Sequence, residues 1–138
     1  MRLWHKFMLS ALPREQLVSQ WRECSSVAGA IQKNGTPNHI LVNYVLDHDF
    51  DHFISYTYYV REEMNKRGYR TMDSVWNKIV SLKPDWKLLP LSDIYPEEMD
   101  NTYWEICYYN LKEKWLRGGI INEDWQKIEN FDLIYQGV

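Results

Sequence analysis

The sequence predicts an all-α fold, a single compact helical domain with its N-terminal segment docked against the helices. Three observations support this. Apolar residues recur at helical spacing, most clearly at Leu17, Val18, Trp21, Cys24 and then Val27 or Ala28. Glycine and proline clusters fall where such runs stop, at Gly35-Thr36-Pro37-Asn38, Gly68 and Gly118-Gly119. The chain also opens with Leu3, Trp4 and Phe7, which are poor residues for a free tail.

The first helix starts near Pro13, whose missing N–H costs nothing in a first turn, and ends before Gly35. Its periodicity keeps Arg14, Glu15 and Arg22 off the apolar stripe and puts Glu23 at the stripe's edge, partly buried. Residues 39–46 are β-branched and apolar, and read as either a short buried extended piece or a helical turn. A longer helix follows, capped by Asp47 or Asp49 and stopped at Gly68, with Lys66 and Arg67 at the negative end of its dipole. Thr71 or Asp73 caps a short helix carrying Val75, Trp76, Ile79 and Val80. Lys83 to Ser92, with two prolines, reads as an irregular loop. Pro96-Glu97-Glu98 opens a long helix running through Met99, Tyr103, Ile106, Cys107 and Leu111 to Trp115. Asn122, followed by Glu123 and Asp124, caps a short last helix around Trp125 and Ile128.

At 138 residues the chain is expected to be one domain, spanning 1–138, and can bury a core without staples. With 45% hydrophobic and 25% charged residues it is a folded chain rather than a disordered one. No apolar run approaches the roughly twenty residues that span a bilayer, and no signal-peptide pattern is present. Cys24 and Cys107 stand in no metal or redox spacing, so free thiols in a reducing cytoplasm are expected. A cytoplasmic monomer without membrane attachment is the expectation. The net charge is −3, against the basic balance usual for nucleic-acid binding. Residues 1–40 depart from it: Arg2, Lys6, Arg14, Arg22 and Lys33 face only Glu15 and Glu23, giving +3 and leaving −6 for the rest. A basic N-terminal third is compatible with a local phosphate-tracking face.

Two groups near the start carry chemistry. An α-amine ordinarily titrates near 7.7–8.0, about neutral pH, and a neutral amine beside a carboxylate such as Glu23 is suited to Schiff-base chemistry at a carbonyl-like carbon. By spacing alone, a frayed Met1–Trp4 and a surface ion pair at Glu23 are the default readings.

The ordered set Met1-Arg2-Leu3-Trp4-His5, Leu12-Pro13, Gln16-Leu17 and Arg22-Glu23 changes that balance. Together with His39 to Val45 and Met64-x-Lys66-Arg67-Gly68-Tyr69, it resembles the pyrimidine-dimer DNA glycosylase family. The resemblance runs over residues 1–73 and thins over 74–138. It implies a DNA repair glycosylase with an associated abasic-site lyase step, acting on double-stranded DNA that carries ultraviolet dimers. On that resemblance the Met1 amine and Glu23 are the catalytic pair, and Arg2, His5, Arg14 and Arg22 contact DNA. No metal or organic cofactor is implied.

The sequence departs from the family's phage pattern in four places. A threonine amine exposed by loss of Met is replaced by Met1 itself, since Arg2 is too large for ready Met removal. An arginine three residues past the glutamate is Ser26. The glutamine and histidine early in the first helix are Glu15 and Gln16. A basic C-terminus is replaced by the acidic run from Glu123 to Val138. Two other classes compete: a metal-dependent hydrolase on His48 and His52, four residues apart near a helix start, and a non-catalytic nucleic-acid-binding module of the same fold. Asp47, Asp49 and Asp51 around those histidines also suit a helix N-terminus.

Overall fold

Pro13 and Gly35 bound the first helix, α1 (Arg14–Asn34). Pro13 holds φ at −59°, and its carbonyl accepts the Leu17 N–H at 3.0 Å. Gly35 adopts a left-handed φ of 77° that lets its N–H return to the Ile31 carbonyl at 2.8 Å. Leu17, Trp21, Cys24, Val27, Ala28 and Ile31 form the buried stripe, and Gln20 is buried among them. This is a computed structural model; residues 1–136 are described, and Gly137 and Val138, the end of the acidic run, lie outside the described residues.

Residues 39–46 are a turn leading into a 3-10 segment, Asn43–Asp47, which settles the two alternatives in favour of the helical one. Val42 and Val45 are buried while Ile40 and Leu41 are exposed. Residues three apart eclipse in a 3-10 turn, so this pair points into the core together, with Tyr44 packed partly against it. Helix α2 (Phe50–Lys66) is capped by Asp49, whose carboxylate accepts the Asp51 N–H at 2.8 Å. It ends as anticipated at Gly68 (φ 80°), with Gly68 N–H on the Asn65 carbonyl and Tyr69 N–H on that of Met64.

Two expected starts are corrected. Helix α3 (Asp73–Val80) has Met72 at its cap position and no side-chain cap. Thr71 instead accepts from Arg61 and donates to Asn65, while Asp73 pairs with Arg61 inside the first turn. Pro96-Glu97-Glu98 does not open a long helix. Tyr95 has a φ of 44°, the Met99 N–H closes an isolated turn on its carbonyl, and α4 (Asn101–Leu116) begins only where Asp100 accepts the Tyr103 N–H. Helix α5 (Asn122–Gln136) has 15 residues rather than being short, because stacking of Trp115 on Trp125 and of Trp104 on Tyr135 pairs it with α4 along its length.

Among the described residues these five α-helices occur with three 3-10 segments and no strand, so the fold is all-α. Helix α1 packs on α2 and α3, and α4 on α5. The 3-10 segment Lys6–Ala11 touches both α2 and α5 and so joins the two groups. All five α-helices contribute to one buried cluster, which also takes in Leu3, Trp4, Met8 and Leu9 of the N-terminal segment.

Candidate active site

Residues 2–4 are fixed by groups from three helices. The Gln20 amide oxygen accepts the Trp4 N–H at 2.6 Å, and its nitrogen donates to the Arg2 carbonyl at 3.1 Å. From α2, the Tyr56 hydroxyl donates to the Trp4 carbonyl at 2.6 Å and lies 3.0 Å from the Gln20 amide oxygen. From α4, the Tyr103 hydroxyl donates to the Leu3 carbonyl. Leu3 and Trp4 are buried. A frayed Met1–Trp4 would forfeit that burial and strand several buried polar groups, so the docked arrangement replaces the free tail. Met1 alone stays exposed, at 42%.

This docking brings Met1 and Glu23 to the same cleft. Met1, Arg2, Trp4 and Glu23 line a cavity of about 260 Å³, completed by Leu41 and by Asn110 and Lys114 of α4. The Gln20 amide nitrogen, already on the Arg2 carbonyl, also donates to Glu23 Oε2 at 3.2 Å. Partial burial pushes the Glu23 carboxyl above its ordinary value; the chain's own ammonium, the Arg2 backbone N–H, His39 and Gln20 pull the other way. A carboxyl so placed beside an amine can take up a proton and hand it on within one cleft.

The proposed DNA contacts do not all fall together. Arg2 lines the cleft, with its guanidinium 5.9 Å from the Trp4 ring centre. Arg14 and Arg22 are exposed and line a separate, larger groove of about 450 Å³ with Glu15, Val18 and Ser19. They lie eight residues apart on one face of α1, adjacent to the ridge that carries Glu23. Arg14 also sits over the Tyr69 ring at 5.2 Å.

His5 is a correction: it is fully buried and offers DNA no surface. Its Nε2–H donates to the Asp100 carbonyl at 3.1 Å, and Nδ1 accepts the Phe7 N–H at 3.2 Å, so both ring nitrogens serve the fold. Trp4 and Trp21 are core residues, as expected.

The His48/His52 pairing is not assembled as a chelate. His48 Nε2 lies 2.7 and 2.9 Å from the two Glu98 oxygens, whereas His52 Nδ1 accepts the Tyr95 N–H at 3.1 Å. Asp49 and Asp51 are taken by Lys83 and by the start of α2. Among the described residues the ligand-type atoms that converge are those of His48, Glu97 and Glu98; the 2.7 Å contact is a His–carboxylate bridge between the α2 approach and the 95–100 turn.

Sequence reasoning missed the clamp of Gln20, Tyr56 and Tyr103. One signal for it was available: Gln20 is the polar residue inside the apolar stripe of α1, and a buried amide must find partners. Nothing in the sequence pointed to Asn110 and Lys114, which reach the cleft from α4, far along the chain from its other walls at Met1, Arg2, Trp4, Glu23 and Leu41.

With the site in view, the chain can be classed. A family model described as pyrimidine dimer DNA glycosylase matches residues 1–77, the portion that supplies the N-terminal segment, α1 and α2. The chain belongs to the pyrimidine dimer DNA glycosylase family, and DNA is accordingly its substrate class. No curated protein and no solved structure matches the chain. Asn110 and Lys114 lie beyond the matched residues. No helix among the described residues is long and apolar enough to cross a membrane.

Proposed function

We propose that the protein excises ultraviolet-type pyrimidine lesions from duplex DNA and then cleaves the strand through a Schiff base on the Met1 amine. The observation that carries this reading is that Met1 and Glu23 line one small cleft while the backbone behind Met1 is held by three helices. A fixed amine loses little orientational freedom on reaching a sugar carbon, which is where much of the advantage of an enzyme-bound nucleophile lies.

The amine lone pair attacks C1′ of the damaged nucleotide, and the glycosidic bond breaks with its electron pair going to the departing base. The Glu23 carboxylate takes up the proton the amine gives up, and water protonates the departing base. The nitrogen lone pair then forms the C1′=N bond as the C1′–O4′ bond breaks, and protonated Glu23 supplies the proton that O4′ needs. Glu23, now a carboxylate, removes a proton from C2′. The C3′–O3′ bond breaks, the phosphate leaves with its electron pair, and water later hydrolyses the imine to return the amine. The sugar must be drawn away from the base stack for this attack, at a cost that is lower for a damaged step. Arg2, Arg14 and Arg22 hold phosphates, and Lys114 and Asn110 extend the cleft wall. No metal enters the scheme. The single domain over 1–138 acts as a monomer in this reading.

Borohydride tests it directly. Incubation with duplex DNA bearing an abasic site should leave a covalent adduct whose mass maps to the Met1 peptide, and acetylation of the α-amine should abolish it. Glu23→Gln should slow strand cleavage about 10²–10⁴-fold while DNA binding holds. An adduct on a lysine, or full cleavage by Glu23→Gln, would overturn the proposal. DNA binding without any adduct would instead indicate a binding module.

A further inference from the structure

We propose that Gln20 is a positioning residue for this reaction, its one buried amide locking the backbone behind the Met1 amine and the Glu23 carboxylate into a single unit. The inference rests on the reading just given for Met1 and Glu23 and extends it to a residue that touches neither substrate nor sugar.

The geometry is specific. Gln20 is fully buried, and both ends of its amide are engaged. The oxygen accepts from the Trp4 N–H and faces the Tyr56 hydroxyl. The nitrogen has two protons and two partners, the Arg2 carbonyl and Glu23 Oε2. Tyr56 and Tyr103 hold the Trp4 and Leu3 carbonyls of this segment, whereas Gln20 is the residue of the clamp hydrogen-bonded to Glu23. Gln20 therefore couples where the N-terminus sits to where Glu23 points.

It also acts on the charge of Glu23. An amide N–H donates to a carboxylate better than to a carboxylic acid, so this contact favours the ionised form against the burial that opposes it. The other groups facing Glu23 are the chain ammonium and Arg2 from the N-terminal segment, His39 from the loop after α1, and Lys114 of α4. Arg22 neighbours it on α1. All of these are cationic or can become so; the uncharged donors are the Arg2 backbone N–H and the Gln20 amide, and Gln20 is the buried side chain of the two.

Three variants of the full chain separate positioning from packing. Gln20→Met keeps the side-chain length and loses all four contacts. Gln20→Glu keeps an oxygen toward Trp4 and turns a second oxygen toward Glu23. Tyr56→Phe removes a hydroxyl from the same clamp and leaves the Gln20–Glu23 contact in place. The readouts are the carboxyl carbon titration of Glu23 by NMR without DNA, assigned with Glu23→Gln, and the pH profile of cleavage of an abasic duplex. Gln20→Met and Gln20→Glu should move the Glu23 midpoint up and carry the acid limb of the cleavage profile with it. The result is about tenfold slower cleavage on that limb. Tyr56→Phe should lower stability and leave the Glu23 midpoint as in the parent.

In the parent, the Gln20 side-chain amide protons should shift with the Glu23 midpoint, a test that needs no variant and so survives a failure of either Gln20 variant to fold. A Glu23 midpoint unmoved in a folded Gln20 variant, or Gln20 amide protons that ignore the Glu23 titration, would reduce Gln20 to a packing residue and overturn the proposal. If the coupling appears in the titration but the parent forms no borohydride adduct, the catalytic reading of Met1 and Glu23 fails and the role of Gln20 in catalysis fails with it.

Discussion

His5 illustrates how much a single side chain's surroundings decide. Its Nδ1 accepts a backbone N–H and its Nε2–H donates to a carbonyl, an arrangement that only the neutral ring can make. Burial, with some help from Lys6, holds its pKa down at about 4. A pKa lowered on folding contributes stability that is complete above the free value of roughly 6.5 and lost as pH falls toward 4; the gap corresponds to about 3 kcal/mol. Denaturant titrations between pH 7 and pH 4.5 should therefore show stability falling with pH, and His5→Gln should flatten that slope by about one proton. Parallel slopes for the two proteins would assign the acid sensitivity to other groups. Lys6 beside it is likewise buried, and it spends its charge on the Ser92 and Ile94 carbonyls, so this basic residue of the N-terminal third holds a loop and is not part of any phosphate-binding face.

Helix α1 carries three jobs on three faces. Leu17, Trp21 and Cys24 anchor it in the core, Gln20 and Glu23 build the cleft, and Arg14 and Arg22 stand in the outer groove. Its length is set at the far end by Gly35, where a left-handed residue closes the last turn. A Cβ at Gly35 would meet nothing within 4 Å, so Gly35→Ala isolates the backbone cost of that conformation. Roughly 1–2 kcal/mol of stability should be lost by chemical denaturation, and Gly35→Asn should lose less because asparagine tolerates this region better. An Ala variant as stable as the parent would mean that the helix end frays without consequence.

At the scale of the whole molecule, the net charge of −3 and a DNA substrate are reconciled by where the charges sit. Arg14 and Arg22 share a groove on α1, and Arg2 and Lys114 share the cleft one face away. The acidic C-terminal helix α5 packs on α4 and on the Lys6–Ala11 segment. Affinity for duplex DNA should fall with salt, and each phosphate contact removed should lower the logarithmic slope by about 0.9. Arg22→Ala and Lys114→Ala should each do so, whereas Glu23→Gln, which removes no positive charge, should leave the slope unchanged. If Lys114→Ala leaves the slope unchanged, α4 takes no part in DNA binding and the interface is confined to the N-terminal half.

Local pattern was enough for the helices, because each is set by spacing and by its end residues: the stripe of α1, Asp49 before α2, Gly68 and Gly35 after. Spacing alone left Met1 at a frayed end and Glu23 in a surface ion pair; the ordered set of neighbours, through the family it resembles, is what pointed to them. Local pattern failed where a residue's partner lies far along the chain. His5 reads as a polar residue near a free end until Asp100 and Trp104 close over it. Pro96-Glu97-Glu98 reads as a helix start until Tyr95 turns the backbone the other way. Gln20 shows only as a polar interruption of an apolar stripe, and its partners come from residues 2, 4, 23 and 56. A buried hydrogen bond needs both of its ends. The sequence by itself determined the helices and the chemical groups; tertiary packing alone decided which side chains would meet Met1.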